Sequence, residues 1–270
     1  MSGTATITAV VLAGSRSGEA DPVARAARVP AKCLAPVAGR PMLAHVLDSL
    51  LAVAEIREVL LVADPGLDLE RSACLARAFA SGRIGRRAPA ASPAASIEAI
   101  LEEEDRPLLV TTADHPLLSP AIVRGFLAAA RGLEADLVAA VAPAEAVRAV
   151  APGTRRTWWR FRDGRFSGAN LFWLRGAAAR PALAFWRRVE RERKRPWRIV
   201  RMFGAGELLL HLSGALALAQ AAARASRRLG CRLAVVPIAA GEAAIDVDTP
   251  ADLALVEAIL ARRNGTGAAP

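Results

Sequence analysis

The chain has 270 residues, of which 53% are hydrophobic, so it can bury a sizeable core, and its composition argues against intrinsic disorder. Lysine and arginine number 36 and aspartate and glutamate 26, which gives a formal charge of +10. That charge suits an anionic partner, whether a nucleic acid, a membrane surface or a phosphorylated metabolite. Lys32 and Lys194 are the only lysines in a chain that otherwise uses arginine, and Lys32 therefore stands out.

Cysteine usage and the apolar segments indicate where the protein works. Cys33, Cys74 and Cys231 form no paired motif, so the sequence predicts neither a zinc site nor a disulfide framework and indicates a reducing compartment. The opening MSGTATITAVVLAGS lacks the basic start and long apolar run of a secretory signal. The most apolar later stretch, 208–223, contains polar residues and has charged flanks. We therefore expect a soluble, cytoplasmic protein without a membrane partner.

Strand and helix patterns alternate through the first half of the chain. Continuous apolar runs, typical of strands buried on both faces, predict strands at 7–12, 59–63 and 107–112. A polar loop is predicted between them over 15–36. Apolar residues at helical spacing predict helices at 42–50 and 69–80. Two further helices are predicted to begin after Ser92 and Ser119, because each of these serines can act as an N-cap and is followed by a proline. This alternation predicts right-handed βαβ units and a mostly parallel sheet.

The second half has shorter strand signals and one long interruption. Strands are predicted near 136–141, 158–161, 170–174, 232–237 and 244–247. The interruption, 177–229, is predicted to be a helical insertion that carries a basic segment, 187–201. We therefore expect a single domain over residues 1–263, followed by a flexible tail over 264–270.

The turn after the first strand is the first candidate site. It consists of Leu12, Ala13, Gly14, Ser15 and Arg16. A glycine after a buried strand lets backbone N–H groups come close to a phosphate, and an arginine adds positive charge. The turn matches neither the P-loop nor the G-x-G-x-x-G pattern, and its glycine can also serve only to make a tight turn. The turn alone leaves both interpretations open.

Asp114 is the second candidate, because it follows the strand at 107–112 at the edge where open parallel sheets place ligands. A carboxylate there, in a chain without a Cys/His cluster, suits Mg²⁺, which takes one or two carboxylates together with substrate phosphates. Ser119 can already cap the next helix, so capping does not require Asp114. The neighbouring His115 is interpreted as a structural histidine.

The late segment DVDTPADL supplies further carboxylates. If it continues a strand at 244–247, alternation would point Asp246 and Asp248 to the same side. Thr249 and Asp252 have the spacing of a capping box, which gives Asp252 a structural role at the start of a helix. Asp248 is not needed for capping and is therefore freer to bind a metal.

Four motifs occur in order along the chain: VVLAGS, PAKCLAPVAGRPML, TTADHPLL and DVDTPADL. Together they resemble the MobA-like NTP transferase family, relatives of molybdenum-cofactor and sugar-phosphate nucleotidyltransferases, over residues 7–260. The resemblance implies an α/β, Rossmann-like GT-A fold with helices on both faces of a mostly parallel sheet. It also implies Mg²⁺-dependent transfer of a nucleotidyl group from an NTP to a small phosphorylated acceptor, with release of pyrophosphate.

The resemblance also implies roles for individual residues. Asp114 and Asp248 would hold Mg²⁺ and, with Lys32 as the phosphate-binding lysine, would carry the catalysis. Gly168 and Asn170 would face the acceptor. Nucleotide-binding residues would be Leu12, Ala13, Gly14, Ser15, Arg16, Lys32, Ser92, Ser96 and Asp114.

The first loop departs from the family pattern. No R-M-G follows Ser15, and Lys32 comes later in the chain than the family's lysine. The arginine that contacts the triphosphate therefore stays open among Arg16, Arg25 and Arg28, and the acceptor itself is not identified.

The residue types agree with this chemistry. An acceptor phosphate oxygen would attack the α-phosphorus in line, and because both reactants are anions, Mg²⁺ and a lysine would neutralise and orient them. No protein nucleophile is required, so Cys33 is interpreted as a small apolar residue. The expected partners are an NTP and a phosphorylated acceptor, without nucleic acid, in a monomer or homodimer.

Two other functions stay open at this point. A GT-A glycosyltransferase that uses a nucleotide sugar would need a D-x-D pair, and Asp246 and Asp248 have that spacing, although late in the chain. A catalytically silent nucleotide- or RNA-binding protein would keep the fold without turnover. The basic segment 187–201 could form a solvated helix face, a lid over the acceptor phosphate or a nucleic-acid site.

Overall fold

The computed structural model describes residues 6–14, 21–103, 106–154, 156–192 and 215–266, with the main chain alone at 264–266. Within these ranges the strands are β1 (Ile7–Leu12), β2 (Pro36–Val37), β3 (Arg40–Pro41), β4 (Ile56–Val62), β5 (Ile84–Arg87), β6 (Leu108–Thr112), β7 (Leu137–Pro143), β8 (Trp159–Phe161), β9 (Gly164–Leu174) and β10 (Leu233–Pro237). The α-helices are α1 (Pro22–Ala27), α2 (Met42–Leu51), α3 (Ala73–Phe79), α4 (Pro93–Glu103), α5 (Pro120–Arg131), α6 (Ala144–Val150), α7 (Arg180–Glu192), α8 (Leu218–Leu229) and α9 (Pro250–Thr266).

One central sheet has the strand order β10-β7-β9-β6-β1-β4-β5, with β8 paired to β9. β1 runs parallel to β4 and β6, β4 to β5, and β10 to β7. β9 is antiparallel to its neighbours β6 and β7, and β2 and β3 form a separate antiparallel pair. The predicted α/β class with a mostly parallel sheet is therefore confirmed, with one reversed strand inside it.

Helices cover both faces of this sheet, as predicted. Against one face pack α2, α3 and α5, through buried residues that include Leu47, Leu75 and Phe126. Against the other face pack α4 and α7, through residues that include Ile97 and Leu183. Burial on both faces explains why β1 and β6 are continuous apolar runs rather than alternating ones.

The strand order reverses at β1. From β1 the chain builds outward to β4 and β5 and then returns to place β6 on the other side of β1. The N–H of Ala113 donates to the carbonyl of Leu12 at 3.0 Å, and the N–H of Ala13 donates to the carbonyl of Val62 at 2.8 Å. The carboxyl ends of these strands therefore lie side by side, at the kind of crevice where open α/β sheets bind ligands.

A further apolar cluster joins the early and late parts of the chain. Its buried members include Val23 of α1, Val37 of β2, Val147 of α6, Val247 before α9 and Ile259 of α9. Because these residues pack together, the chain around residue 32 and the segment that ends at residue 248 are held against each other.

The strand predicted at 244–247 does not form. A 3₁₀ turn, Gly241–Ala244, takes its place and packs on α6, and Ile245 follows in extended backbone. A Cβ on Gly241 would lie 2.1 Å from the carbonyl oxygen of Ala146, so only glycine permits this approach. Contact with α6, which the alternating pattern does not reveal, sets the path of this segment.

Several shorter elements also differ from the prediction. The predicted polar loop over 15–36 contains α1, and the edge strand β5, where no strand was predicted, has exposed Arg86 and Arg87 side chains. α3 is shorter than the predicted helix at 69–80, and α9 continues to Thr266, three residues into the predicted tail. Residues 267–270 and the middle of the insertion, 193–214, lie outside the described residues.

None of the helices in the described ranges combines the length and apolarity that a membrane crossing requires.

Candidate active site

The structure brings Lys32, Asp114 and Asp248 into direct contact. The Nζ of Lys32 lies 2.6 Å from Oδ2 of Asp114 and 3.0 Å from Oδ1 of Asp248. Since both oxygens lie within 3.0 Å of one nitrogen, they are at most about 6 Å from each other. We call these three residues the Lys32 cluster.

Local structure explains why three distant segments meet at this point. Lys32 begins a 3₁₀ turn, Lys32–Leu34, whose Cys33 is buried in the core. Asp114 follows the carboxyl end of β6, where the parallel strands open into the crevice. The N–H of Val247 donates to the carbonyl of Asp114 at 2.9 Å, which fixes the segment before Asp248 beside the end of β6.

The electrostatics of the Lys32 cluster keep its lysine charged. Burial alone would lower the pKa of the Lys32 ammonium, but the attraction of Asp114 and then of Asp248 outweighs burial, and the pKa lies above its ordinary value of 10.5. The side chains of Lys32 and Asp114 are 21% and 18% exposed, whereas that of Asp248 is 63% exposed. Solvent therefore reaches the cluster mainly from the side of Asp248.

The carboxylates of the Lys32 cluster suit a divalent cation. Oδ1 of Asp114 is buried and has no hydrogen-bond partner, so one acceptor in the crevice is unused. Within the described part of the chain, no group of three or more His, Cys, Asp and Glu residues could hold a metal. The donor set is thus a pair of carboxylates, which suits Mg²⁺ because this ion completes its shell with water and substrate phosphates.

The glycine turn lies on the β1 side of the crevice. Ala13 is buried and Gly14 is exposed, and a Cβ on Gly14 would lie 3.9 Å from Cβ of Pro89. Packing alone therefore does not require a glycine at this position, although the turn does lie against the loop that leads into α4. Ser15 and Arg16 fall outside the described residues.

Ser92 and Ser96 both organise the start of α4. The Oγ of Ser92 accepts a hydrogen bond from the N–H of Ala95 at 3.3 Å, as expected for an N-cap. The buried Oγ of Ser96 accepts from the N–H of Ala90 at 2.9 Å and donates to the carbonyl of Ser92 at 3.1 Å. The Ser96 hydroxyl thus holds the loop in place, and the half-buried Ser92 is the one closer to solvent.

Two of the three candidate arginines are described. Arg25 lies in α1, and Arg28 ends that helix in a left-handed conformation with a φ of 55°. α1 packs beside the 3₁₀ turn of Lys32. Both arginine side chains are exposed, and neither forms an ion pair with another residue of the described ranges. Each therefore remains a candidate for a phosphate contact, and Arg16 stays untested.

Asp246 and Asp248 have different partners, and the strand whose alternation was expected to point both to the same side does not form. Oδ1 of Asp246 accepts from Nη1 of Arg156 at 2.7 Å, its Oδ2 accepts from Nδ2 of Asn170 at 3.0 Å, and its carbonyl accepts from Nη2 of Arg156 at 3.1 Å. We call Asp246, Arg156 and Asn170 the Arg156 cluster. Because both of its carboxylate oxygens are engaged with protein groups, Asp246 does not pair with Asp248 as a D-x-D metal site would require.

Sequence reasoning missed Arg156. It is one of many arginines, and it meets Asp246 across 90 residues of chain, so no local pattern identifies it. A side chain only 10% exposed that reaches both the carboxylate and the backbone of one aspartate becomes visible only in the structure.

The acceptor-half residues lie on the reversed strand β9. Leu108 of β6 pairs with Leu174 of β9 and Val110 with Phe172, and Asn170 lies two residues before Phe172 on the same strand. Asn170 has a φ of 46°, a left-handed conformation that asparagine tolerates better than most residues. A Cβ on Gly168 would lie 3.6 Å from the ring of Trp159, whose side chain is 44% exposed.

His115 and Cys33 are both buried beside the site. Nε2 of His115 lies 3.1 Å from the carbonyl oxygen of Glu242, and burial lowers the pKa of His115 below its ordinary value. Burial raises the pKa of the Cys33 thiol to about 11, which makes it a poor nucleophile at neutral pH. These contacts agree with the structural interpretation of both residues.

The predicted basic segment at 187–201 is described only as far as residue 192. Arg187 pairs with Glu98 of α4, and Oε1 of Glu190 accepts a hydrogen bond from the N–H of Ala94 at 3.3 Å. These contacts attach α7 to α4, next to the loop of Ser92. Residues 193–201 lie outside the described ranges, so the three interpretations of the segment are not separated.

Comparisons with solved structures place the chain among transferases. A hypothetical transferase from Thermus thermophilus is 36% identical, with a TM-score of 0.77 over 92% of this chain and 99% of that one. CMP:2-keto-3-deoxy-manno-octonic acid synthetase, solved with CTP, is 17% identical, with a TM-score of 0.54 over 96% and 99% of the two chains. 2-C-methyl-D-erythritol 4-phosphate cytidylyltransferase, also from Thermus thermophilus, is 21% identical, with a TM-score of 0.52 over 96% and 98%. The latter two similarities show the fold alone.

Family comparison identifies the chain more directly. No curated protein matches it. Residues 9–225, however, match the MobA-like NTP transferase domain, a stretch that includes Lys32 and Asp114 and ends before Asp248. The match confirms the resemblance seen in the four sequence motifs. The chain belongs to the MobA-like NTP transferase family and is a nucleotidyltransferase.

Proposed function

We propose that the protein transfers a nucleotidyl group from an NTP to a small phosphorylated acceptor, a cofactor or a sugar or alcohol phosphate, in a Mg²⁺-dependent reaction that releases pyrophosphate. One observation carries the proposal. A charged lysine bridges two carboxylates, Asp114 and Asp248, at the crevice where the strand order reverses. This arrangement offers a metal and a phosphate site at one point.

The charges of the reactants determine what each residue would do. Asp114 and Asp248 would hold Mg²⁺, which supplies charge neutralisation and orientation of the triphosphate when bound. Lys32, which stays protonated, would donate to a phosphate oxygen. Lys32 holds the two carboxylates near each other, and its ammonium would move from between them to the phosphate when Mg²⁺ binds.

The transfer itself requires no protein nucleophile. An oxygen of the acceptor phosphate forms a bond to the α-phosphorus of the NTP, and the bond from that phosphorus to the bridging oxygen breaks, with its electron pair leaving on pyrophosphate. The protein contributes by aligning two anions that would otherwise repel each other. Because no protein nucleophile is needed, this mechanism is compatible with purely structural roles for Cys33 and His115.

Donor and acceptor would occupy opposite sides of the crevice. Residues 12–14, together with Ser92 at the start of α4, lie on the β1 side and, with Ser15 and Arg16, would bind the nucleotide, and Ser96 would support the loop. Gly168 and Asn170 lie on β9, across β6 from β1, and would face the acceptor. Trp159 above Gly168 would form part of the acceptor wall.

The cellular setting is also part of the proposal. Cys33, Cys74 and Cys231 are free, which agrees with a reducing, cytoplasmic setting. We expect a monomer or homodimer that acts without a membrane or nucleic-acid partner.

A pyrophosphate-release assay with ATP, CTP, GTP and UTP tests the proposal. Each NTP is incubated with Mg²⁺ and a panel of sugar and alcohol phosphates, and a thermal-shift series with the same nucleotides reports binding separately. CTP is included first because one structural neighbour was solved with it. We expect acceptor-dependent pyrophosphate release with at least one NTP. Free NDP from nucleotide sugars, without pyrophosphate from any NTP, would instead support the glycosyltransferase alternative.

A further inference from the structure

The segment of Asp246, Val247 and Asp248 is attached to the protein at each of its three residues. The carboxylate of Asp246 is held by Arg156 and Asn170, and the N–H of Val247 by the carbonyl of Asp114. The N–H of Asp248 donates to Oδ2 of Asp252 at 3.3 Å. The backbone that carries the exposed Asp248 side chain is therefore fixed from three directions.

Arg156 and Asn170 hold Asp246 in a directional way, because each carboxylate oxygen accepts a hydrogen bond from one of them. The Arg156 guanidinium reaches both the carboxylate and the carbonyl of Asp246, a forked contact that fixes an angle as well as a distance. An apolar contact would supply packing at this point without specifying that angle. The forked contact of the Arg156 guanidinium therefore indicates that the orientation of the Asp246 backbone matters at this point.

Asn170 extends this contact to the acceptor side of the crevice. Its amide reaches Asp246 from β9, and its left-handed backbone, with a φ of 46°, interrupts the regular strand there. The pairing of β9 with β7 shifts register over the same stretch, between Ala139 and Val141. The irregularity gives Asn170 a direction that a regular strand would not provide.

We propose that Asp246, Arg156 and Asn170 are positioning residues that aim Asp248 at Lys32 and Asp114. Through Asn170, they also join the acceptor strand β9 to the metal-binding segment. Since the metal role of Asp248 is itself proposed, the inference rests on the proposed function. Its expected signature is a weakened metal site without loss of the chemical step.

Two variants break the Arg156 cluster in different ways. In Asp246→Asn, the side-chain NH₂ must face either Arg156 or Asn170, both of which are donors, so one contact is lost whichever way the amide turns. In Asn170→Gly, the amide is removed while the positive φ stays accessible. If one variant folds poorly, the other still tests the proposal.

The first measurement uses lysine chemistry and needs no turnover. With Lys32 and Lys194 as the only lysines, acylation of each can be followed by mass spectrometry in the same sample, with Lys194 as the internal reference. We expect both variants to raise the Lys32 labelling rate relative to Lys194 towards the rate seen in Asp248→Asn. Labelling that stays at the wild-type ratio would overturn the proposal.

The second measurement is the Mg²⁺ dependence of pyrophosphate release. We expect the Mg²⁺ concentration for half-maximal rate to rise roughly 10-fold, the lower end of the range for residues that support metal ligands. At saturating Mg²⁺, the kcat of Asp246→Asn should return close to the wild-type value. Loss of kcat in Asp246→Asn at every Mg²⁺ concentration, without a shift in half-saturation, would contradict a positioning role.

Asp136→Asn provides the matched control. Asp136 accepts hydrogen bonds from Arg232 through both carboxylate oxygens, but it precedes β7, at the opposite edge of the sheet from the crevice. This variant should lower stability without changing Lys32 labelling or Mg²⁺ dependence. If the wild type releases no pyrophosphate with any NTP, the proposed function fails, while the labelling experiment still decides whether the Arg156 cluster aims Asp248.

Discussion

The Lys32 cluster and the Arg156 cluster are built from the same kinds of side chain, but one is the candidate ligand site and the other supports it. Each pairs a basic side chain with aspartate, and the two are linked through Val247. In the Arg156 cluster both carboxylate oxygens of Asp246 have protein partners. In the Lys32 cluster Asp114 has an unpartnered buried oxygen, and Asp248 is largely exposed. Carboxylate oxygens without a protein hydrogen-bond partner, rather than the presence of charge, distinguish the candidate ligand site from the residues that support it.

Asp114→Asn should produce the largest loss of activity, because it removes a negative charge from the Lys32 cluster, where Mg²⁺ is proposed to bind. We expect pyrophosphate release to fall at least about 100-fold, since losing a ligand should exceed the 10–100-fold typical of its supporting partners. Initial rates at saturating Mg²⁺ and NTP measure this loss. The melting temperature is measured alongside, because Asp114→Asn also removes the closest ion-pair partner of Lys32, and near-normal turnover would remove Asp114 from the site.

Lys32→Met tests the other half of the same cluster. We expect NTP binding and turnover together to weaken roughly 10- to 100-fold, corresponding to the about 1.5–3 kcal/mol of a hydrogen bond to a charged group. Values of kcat/KM for the NTP measure this effect. Lys32→Arg is the comparison that retains the charge, and if all three proteins share one kcat/KM, Lys32 has no part in phosphate binding.

The same residue makes a prediction about pH and stability. The folded pKa of Lys32 is raised above the ordinary 10.5, so the stability that its ion pairs contribute is fully present below that pH and is lost as pH rises past it. Urea unfolding of wild type and Lys32→Met should therefore give a larger stability difference at about pH 9 than at about pH 11.5. A difference that grows with pH would contradict the assignment.

The smallest effect is expected for Asp252→Ala. Asp252 lies at the start of α9 and accepts a hydrogen bond from the N–H of Asp248. Oδ2 of Asp252 accepts from the N–H and Oγ1 of Thr249 at 2.9 and 2.7 Å, and the Thr249 Oγ1 accepts in return from the N–H of Asp252. Asp252→Ala should cost about 1 kcal/mol of unfolding free energy, as a lost cap does.

Asp21→Ala, which removes the cap of α1, is the control for Asp252→Ala. Asp252→Ala should also raise the Mg²⁺ requirement slightly, whereas Asp21→Ala should not. Equal Mg²⁺ dependence in the two variants would mean that the cap does not contribute to orienting Asp248.

The sequence predicted the framework of the sheet well, for a physical reason. β1 and β6 are buried on both faces, so their apolar runs are uninterrupted, and the caps at Ser92 and Ser119 depend on neighbouring residues alone. The same holds for the capping box of Thr249 and Asp252. Signals that are complete within a few residues can be found in one chain.

The features that the sequence did not predict depend on contacts between residues far apart in the chain. The path of residues 241–248 depends on contact between Gly241 and Ala146, and the partner of Asp246 lies 90 residues away. β5 was missed because exposed arginines on an edge strand hide its pairing with β4. Alternation alone therefore predicted a strand where tertiary contacts instead give Asp246 and Asp248 different partners.

The meeting of Lys32 and Asp248, 216 residues apart, has a consequence for biosynthesis. A nascent chain emerging from the ribosome can form β1, β4 and β6 well before residue 248 has been made. Under the proposed role of Asp248, an unfinished chain that lacks this residue would not yet catalyse nucleotidyl transfer.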